Sequence, residues 1–411
     1  MRKTLAIIMA GGEGKRLYPL TRDRAKPAVP FGGIYRLIDF TLSNCVNSNL
    51  RKILILPQYK CLSLDRHMRL GWHIFNSELG EFITSLHPQQ RIGDKWYQGT
   101  ADAIYQNFYT IHAEKPDHIL ILSGDHVYKM NYADMLQYHH ERNAQLTIAS
   151  IEIPRKQGSH FGIFEVDEKY HILDFTEKPA DPKPLPFNKD YCFASMGIYI
   201  FNTETLSDVL QDDALRTTEH DFGKNIIPAM IKHNYRVYAY NFKDENKNEA
   251  KYWRDVGTID SYWEANMDLV SVSPVFNLYD QNWPIRTYQG QYPPSKTVFA
   301  QEDESVEEPR RMGVALDSVI SHGCIISGGR VQNSVLSPDV RINSYSFVYK
   351  SVIFEEVEIG RHAMIKNAII DKEVRIPPGT KIGFDLEEDS KKYTVSEGGI
   401  VVIPKGMKIE P

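Results

Sequence analysis

Near its carboxyl end the chain repeats aliphatic residues at an almost fixed interval. Val331, Val348, Ile365 and Ile382 recur every 17 residues, and Ile326, Ile342, Ile359 and Ile376 recur at 16, 17 and 17. A third column, Ser318-Val319-Ile320, Ser334-Val335-Leu336, Ser351-Val352-Ile353 and Ala368-Ile369-Ile370, keeps the same spacings of 16, 17 and 17. A β-sandwich has no reason to hold three columns in step. A solenoid must, because each coil buries its apolar face only against the next. Small or turn residues such as Gly328, Asn343 and Gly360 divide each interval into imperfect hexapeptides. The expectation is a parallel β-helix of about four coils.

The rest of the chain, up to about residue 270, alternates strand-like and helical patterns. Leu5–Ala10, Lys52–Leu56, His118–Leu122 and Leu146–Ser150 are short and almost continuously apolar, as strands buried on both faces of a mostly parallel sheet must be. Between them, Thr100 is placed to cap a helix with Ala101, Ile104, Phe108 and Ile111 on one face, and a second helix spans Ala133 to about Asn143. Alternation of this kind predicts an α/β sandwich whose ligands sit at the carboxyl ends of the strands. At 411 residues two domains are expected. The formal net charge of −5 excludes a domain-wide basic surface for nucleic acid. No apolar run approaches the ~20 residues that cross a bilayer. Met1-Arg2-Lys3 precedes an apolar run too short for a signal peptide. Cys45, Cys61, Cys192 and Cys324 are scattered, which fits reduced thiols and a cytoplasmic setting.

Chemistry concentrates at three strand ends. The first strand runs into Gly11-Gly12-Glu13-Gly14-Lys15-Arg16, and Lys26-Pro27-Ala28 follows. Glycines let backbone N–H groups line a concave bend that suits a polyphosphate. Lys15, Arg16, Arg22, Arg24, Lys26 and Arg36, opposed only by Asp23, form a local basic cluster fit for the same anion. The Walker A and dinucleotide spacings fail, at Met9 and Leu17 respectively. Ser123-Gly124-Asp125-His126 ends another strand, and Trp253-Arg254-Asp255-Val256-Gly257 supplies a second carboxylate, so Asp125 and Asp255 are candidates to hold a divalent cation. His126 is not needed as a base, because a phosphate oxygen is already ionised. Glu177-Lys178 ends a third strand-like run, where a lysine could meet a second phosphate and a glutamate a sugar hydroxyl. Gly162 and Ser195 offer close approach, and Trp96-Tyr97 precedes a helix start suited to a ring or an anion.

Leu5–Leu17 with Lys26-Pro27-Ala28 resembles the sugar-nucleotide pyrophosphorylases. A narrower set resembles the glucose-1-phosphate adenylyltransferase family of bacterial glycogen synthesis: Phe31-Gly32-Gly33, the run from Arg36 to Cys45, Trp96 to Ala103, Ser123 to Tyr128, Thr176 to Pro179, Ala194 to Tyr199, His220 to Gly223, Tyr252 to Thr258 and Asn282 to Thr287. The resemblance covers nearly the whole chain. It implies a Rossmann-like nucleotidyltransferase domain at 1–276, a connector with an acidic loop at 277–312, and a left-handed β-helix at 313–411 for regulation and oligomerisation. It implies ATP plus α-D-glucose 1-phosphate giving ADP-glucose and pyrophosphate, with magnesium (Mg2+) as cofactor. On the matching positions it assigns catalysis to Asp125, Arg16 and Lys26, and the metal to Asp125 and Asp255. The nucleotide would contact Gly11, Gly12, Gly14, Arg16 and Lys26; glucose 1-phosphate would contact Tyr97, Gly162, Glu177, Lys178 and Ser195. A homotetramer controlled by small-molecule effectors, with no nucleic acid and no membrane, is the family's pattern.

The regulatory positions depart from that pattern. Asp23 stands where many members carry an activator-binding lysine, and Pro30 replaces a histidine of enteric-type enzymes. Arg36, Lys372, Lys391 and Lys392 remain as candidate anion contacts. The expectation is an altered or weak response to fructose 1,6-bisphosphate. Three other readings weigh less: a pyrophosphorylase using UTP, dTTP or GTP; a non-catalytic subunit, which would have lost Asp125, Lys178 or Arg16; and an acyltransferase working in the β-helix, whose His322 and His362 fall at unmatched positions.

Overall fold

The computed structural model describes residues 1, 3–89, 96–244, 249–298 and 311–410. Nine strands form one mixed, mainly parallel sheet: β1 (Thr4–Ala10), β2 (Lys52–Pro57), β3 (Phe82–Ser85), β4 (His118–Ser123), β5 (Leu146–Pro154), β6 (Gly162–Val166), β7 (Ile172–Glu177), β8 (Tyr191–Asn202) and β9 (Val237–Asn241). β1 lies between β2 and β4, parallel to both, with Met9 opposite Leu56 on one side and Ser123 on the other. Leu5, Ile7, Ile53, Ile55, Ile119 and Ile121 are all 0–1% exposed, because helices cover both faces of the sheet.

β8 is the long antiparallel strand that organises the middle of the sheet. One edge pairs with β5 throughout, apart from an irregularity between Ser195 and Tyr199. Its other edge pairs first with β6, at Phe193 and Ala194, and then with β4, from Tyr199 to Asn202. The gap between those two pairings is opposite the end of β4, where Asp125 follows.

The helix expected from Thr100 is two helices, Thr100–Gln106 and Phe108–Ala113. Asn107 divides them. Its side-chain amide donates to the Ala103 carbonyl at 2.8 Å and to the Tyr97 hydroxyl at 2.8 Å, and so competes with the backbone ladder. Thr100 is the first helical residue rather than the cap, and its hydroxyl instead donates to Asp221 Oδ2 at 3.0 Å.

The carboxyl-terminal part is a β-helix of three sheets, parallel throughout except where Thr394–Val395 pairs antiparallel with Val401–Ile403. The sequence columns are its stacks: Val331, Val348, Ile365 and Ile382 are register partners in turn, as are Ile326, Ile342, Ile359 and Ile376. The serines of the third column form a ladder. Ser334 N donates to Ser318 Oγ at 3.1 Å, Ser351 N to Ser334 Oγ at 3.1 Å, and Ala368 N to Ser351 Oγ at 3.2 Å. A short helix, Leu386–Lys392, interrupts the last coil.

One apolar core joins the halves: Leu17, Phe31, Phe40 and Tyr262 pack with Val335, Val352, Phe354 and Ile369. Within it Arg24 makes a two-pronged pair with Asp371, at 3.0 and 2.9 Å, with both side chains buried. The aromatic connector is ordered along the helix Leu37–Asn47. Trp283 Nε1 donates to Asn44 Oδ1 at 2.8 Å and Arg286 N to Ser43 Oγ at 2.8 Å, and Tyr292 reaches the β-helix at Glu355, its hydroxyl 2.6 Å from Oε1. The acidic run Gln301–Glu308 lies outside the described residues.

Candidate active site

The bend after β1 is set by Gly14, whose φ of 66° lies in the left-handed region that a side chain disfavours. Thr21 Oγ1 fixes it by donating to the Gly14 carbonyl at 2.9 Å. A Cβ on Gly14 would stand 3.2 Å from Lys26 Cβ, so the bend and the lysine are neighbours. A Cβ on Gly11 would meet Gln58 at 2.9 Å, while one on Gly12 would meet nothing within 4 Å, leaving that part of the bend open for a ligand.

Lys26 is buried, and its ammonium lies 2.8 Å from Asp125 Oδ2 and 3.2 Å from Asp255 Oδ1. Burial works against its charge, but the Asp125 and then the Asp255 carboxylates outweigh burial, and its pKa stands above the ordinary lysine value. Asp125 follows the same logic with the sign reversed. Burial would raise its pKa, yet Lys26, then His126, and hydrogen bonds from Lys26 and Ser123 hold it far below the usual carboxylate range. Asp255 reaches this point because the strand Trp253–Asp255 pairs antiparallel with His126–Tyr128, placing Asp255 opposite His126. Arg16 is exposed and lies alongside: the Cβ position of Gly257 is 3.0 Å from Arg16 Nη2 and 3.1 Å from Asp255 Oδ2. His126 Nε2 stands 3.6 Å from Asp125 and 3.9 Å from Asp255, and its other nitrogen is buried without a partner among the described residues.

Two carboxylates that share one ammonium make a hard-oxygen donor pair with a positive charge already between them. Such a pair suits a divalent cation that prefers oxygen ligands, and the residues present fit magnesium in chemical type.

The second group lies at the ends of β6, β7 and β8. Glu177 stands opposite Gly162 in the β6–β7 pairing, and any side chain at 162 would collide with Phe175 at 2.5 Å and Glu177 Oε2 at 2.8 Å. Lys178 follows with φ of 48°, its N–H bonded to the Phe161 carbonyl at 3.0 Å. Its ammonium is solvent-exposed, 3.4 Å from Glu177 Oε1. Ser195 Oγ accepts from Gly197 N at 3.3 Å, and the Gly197 Cβ position is 3.9 Å from the His126 ring. Ser195 thereby borders the Asp125 end of the site. Tyr97 is tied to the glycine bend through Gln58, whose amide donates to the Tyr97 carbonyl at 3.3 Å. Trp96 is largely exposed.

Asp221 belongs with this second group, although its motif alone gives no role for it. The Cβ position of Gly223 is 3.3 Å from Asp221 Oδ1 and 3.4 Å from Glu177 Oε2, so two carboxylates flank one glycine. The signal in the sequence is Asp221 as a helix cap two residues before a glycine; its meeting with Glu177 is visible only in three dimensions.

The basic cluster is not one phosphate site. Lys15 pairs with Glu13 at 2.8 Å, Arg22 with Asp23 at 3.0 Å, and Arg24 is consumed by Asp371. Arg36 is turned to the Ala28 carbonyl. Only Arg16 and Lys26 stand at the carboxylates. The regulatory candidates separate too. Arg36 and Lys372 line a cleft of about 750 Å³ between the two halves, together with Arg24, Arg66 and Glu355. Lys391 and Lys392 lie on the helix Leu386–Lys392 outside its lining, with Lys391 paired to Glu388.

Comparison with known proteins agrees with both halves. Residues 5–272 match the nucleotidyl transferase family model, and residues 293–403 match the GlmU-like C-terminal hexapeptide model, in accord with left-handed winding. A glucose-1-phosphate adenylyltransferase of Koribacter versatilis is 56% identical over 98% of this chain and 96% of its own. One from Rhodopirellula baltica is 53% identical over 100% and 91%, and glucose-1-phosphate adenylyltransferase 2 of Vibrio cholerae is 50% identical over 98% of both chains. Among the described residues no helix is long and apolar enough to cross a membrane. With matches of this extent over a nucleotidyltransferase sheet and a hexapeptide β-helix, the chain belongs to the nucleotidyl transferase family and, within it, to the glucose-1-phosphate adenylyltransferases.

Proposed function

We propose that the protein transfers the adenylyl group of ATP to α-D-glucose 1-phosphate, forming ADP-glucose and pyrophosphate. The observation that carries this reading is Lys26, buried between Asp125 and Asp255 beside the open glycine bend. The Gly11–Gly14 bend would take the triphosphate through its N–H groups, and Arg16 and Lys26 would pair with phosphate oxygens. Asp125 and Asp255 would hold magnesium, which when bound supplies positive charge to the phosphates. Asp125, kept ionised far below neutral pH, is in the required state throughout the physiological range.

At the other end Lys178 would meet the phosphate of the sugar, while Glu177 accepts from its hydroxyls and Tyr97, Gly162 and Ser195 shape the ring site. An oxygen of the glucose phosphate then forms a bond to the α-phosphorus, and the bond from that phosphorus to the β-bridging oxygen breaks. Pyrophosphate leaves with the electron pair. No covalent enzyme intermediate and no general base are required, so the residues act by positioning and by charge.

The division into 1–276, 277–312 and 313–411 belongs to the same reading, as does a homotetramer assembled through the β-helix. The interdomain cleft is read as the place for a small anionic effector. Burial, and then the neighbouring Arg36 guanidinium, hold the Lys372 pKa below its ordinary value, while Glu355 pairs with its ammonium, so an anion would have to compete with that carboxylate. Asp23 and Glu355 on the same walls support a weak response to fructose 1,6-bisphosphate, and a large stimulation in an activator titration would contradict it. The catalytic reading is tested by pyrophosphate release with glucose 1-phosphate and each of ATP, UTP, dTTP and GTP. ATP is expected to turn over fastest; a faster rate with another nucleotide overturns the assignment.

A further inference from the structure

Away from the Asp125 cleft, one group of side chains brings sulfur, oxygen and nitrogen ligands together. Cys61 is the N-cap of the helix Leu62–Gly71, and Asp65 lies one turn on, its N–H bonded to the Cys61 carbonyl at 2.8 Å. That spacing sets thiol and carboxylate on one helical face. His87 arrives from the chain after β3, with Nε2 3.3 Å from Asp65 Oδ2. A Cys61, an Asp65 and a His87 ligand atom all lie within 4.8 Å of one another.

Two further observations distinguish this group from a surface ion pair. Asp65 Oδ1 is buried and has no hydrogen-bond partner among the described residues, a costly state for a carboxylate oxygen. Cys61 is also partly open to solvent, whereas Cys45, Cys192 and Cys324 are buried. Burial, and then the Asp65 charge, push the Cys61 thiol above its ordinary pKa. A cation placed among the three groups would satisfy the orphaned oxygen and take the thiolate.

We propose that Cys61, Asp65 and His87 form a site for a thiophilic divalent cation of the zinc class, with a fourth position left to water. Thiolate with imidazole and carboxylate selects zinc or cobalt over magnesium. Bonds of about 2.0–2.3 Å hold tetrahedral ligands less than about 4 Å apart. The Asp65–His87 pair, at 3.3 Å, already has that spacing. Binding displaces the thiol proton to solvent and uses the neutral imidazole. Occupancy ties the start of the helix to the chain beyond β3. It also bears on the nucleotide bend, because Lys60 Nζ donates to the Thr21 carbonyl at 3.0 Å and Thr21 holds Gly14. None of the three ligands belongs to the adenylyl-transfer machinery, so the site stands or falls separately from it.

The test is a titration of the chelator-stripped full chain with Co²⁺ alone, followed by absorbance. The expected result is a near-ultraviolet sulfur-to-cobalt charge-transfer band that saturates at one equivalent and is displaced by Zn²⁺. Cys61→Ser should abolish the band, and His87→Ala, at a half-exposed position, should weaken binding on the order of tenfold or more. Cobalt held by Asp125 and Asp255 would give no such band, since those ligands are oxygen. Absence of the band in the parent protein, or its survival in Cys61→Ser, overturns the proposal.

Discussion

The α/β half and the β-helix use sequence in opposite ways. In the β-helix from Val314 to Ile382 each stacked residue finds its partner 16 or 17 positions away, and the same contact is made again one coil later. In the active-site cleft Lys26 meets a carboxylate 229 positions away, and the contact occurs once. The repeat distributes stability over many equivalent apolar contacts. The cleft concentrates charge in a few unequal ones and accepts the cost of burying it. Damage to the first should appear as lost stability with chemistry unchanged, and damage to the second as lost chemistry with the fold unchanged.

The sharpest break of this contrast is Asp125→Asn. It keeps the shape and removes the charge, and kcat should fall about a hundredfold to a thousandfold with near-ultraviolet circular dichroism unaltered. Near-normal turnover would remove Asp125 from the metal role. In the opposite half Ile365→Ala takes a fully buried side chain from the middle of a column, and should cost about 2–5 kcal/mol in denaturant unfolding while turnover of the remaining folded protein stays normal. Lys178→Gln tests the cleft on a smaller scale. The KM for glucose 1-phosphate should rise about tenfold to a hundredfold with that for ATP little changed, since one charge-assisted contact is worth about 1.5–3 kcal/mol. Equal changes in both constants would place Lys178 elsewhere. The smallest effect belongs to the serine ladder: Ser334→Ala leaves the Ser351 N–H without its acceptor, an expected loss of about 1–2 kcal/mol seen only in unfolding.

The same contrast explains what could be read from the chain. The β-helix columns are legible because a solenoid writes its register as a period, and even the serine ladder sits in the Ser318, Ser334 and Ser351 positions of the repeat. The strand ends carrying Gly14 and Asp125 are legible because an apolar run that empties into glycine or aspartate is a local signal. The fate of the basic cluster was not. Arg24 looks like a phosphate ligand until Asp371, 347 residues later, binds both its terminal nitrogens. Asp221 and Glu177 likewise meet only after β7 and the turn before Phe222 have folded side by side. The break at Asn107 escaped because its amide chooses the Ala103 carbonyl and the Tyr97 hydroxyl, a choice that apolar periodicity does not encode.

The account rests on Lys26 and Asp255 acting as parts of one cleft, and a double-mutant cycle on kcat/KM measures that directly. Lys26→Met, Asp255→Asn and their combination should show strong coupling, the double variant losing little more than the worse single one. If the two losses multiply, the lysine and the carboxylate work independently and the convergence described here does not perform the reaction.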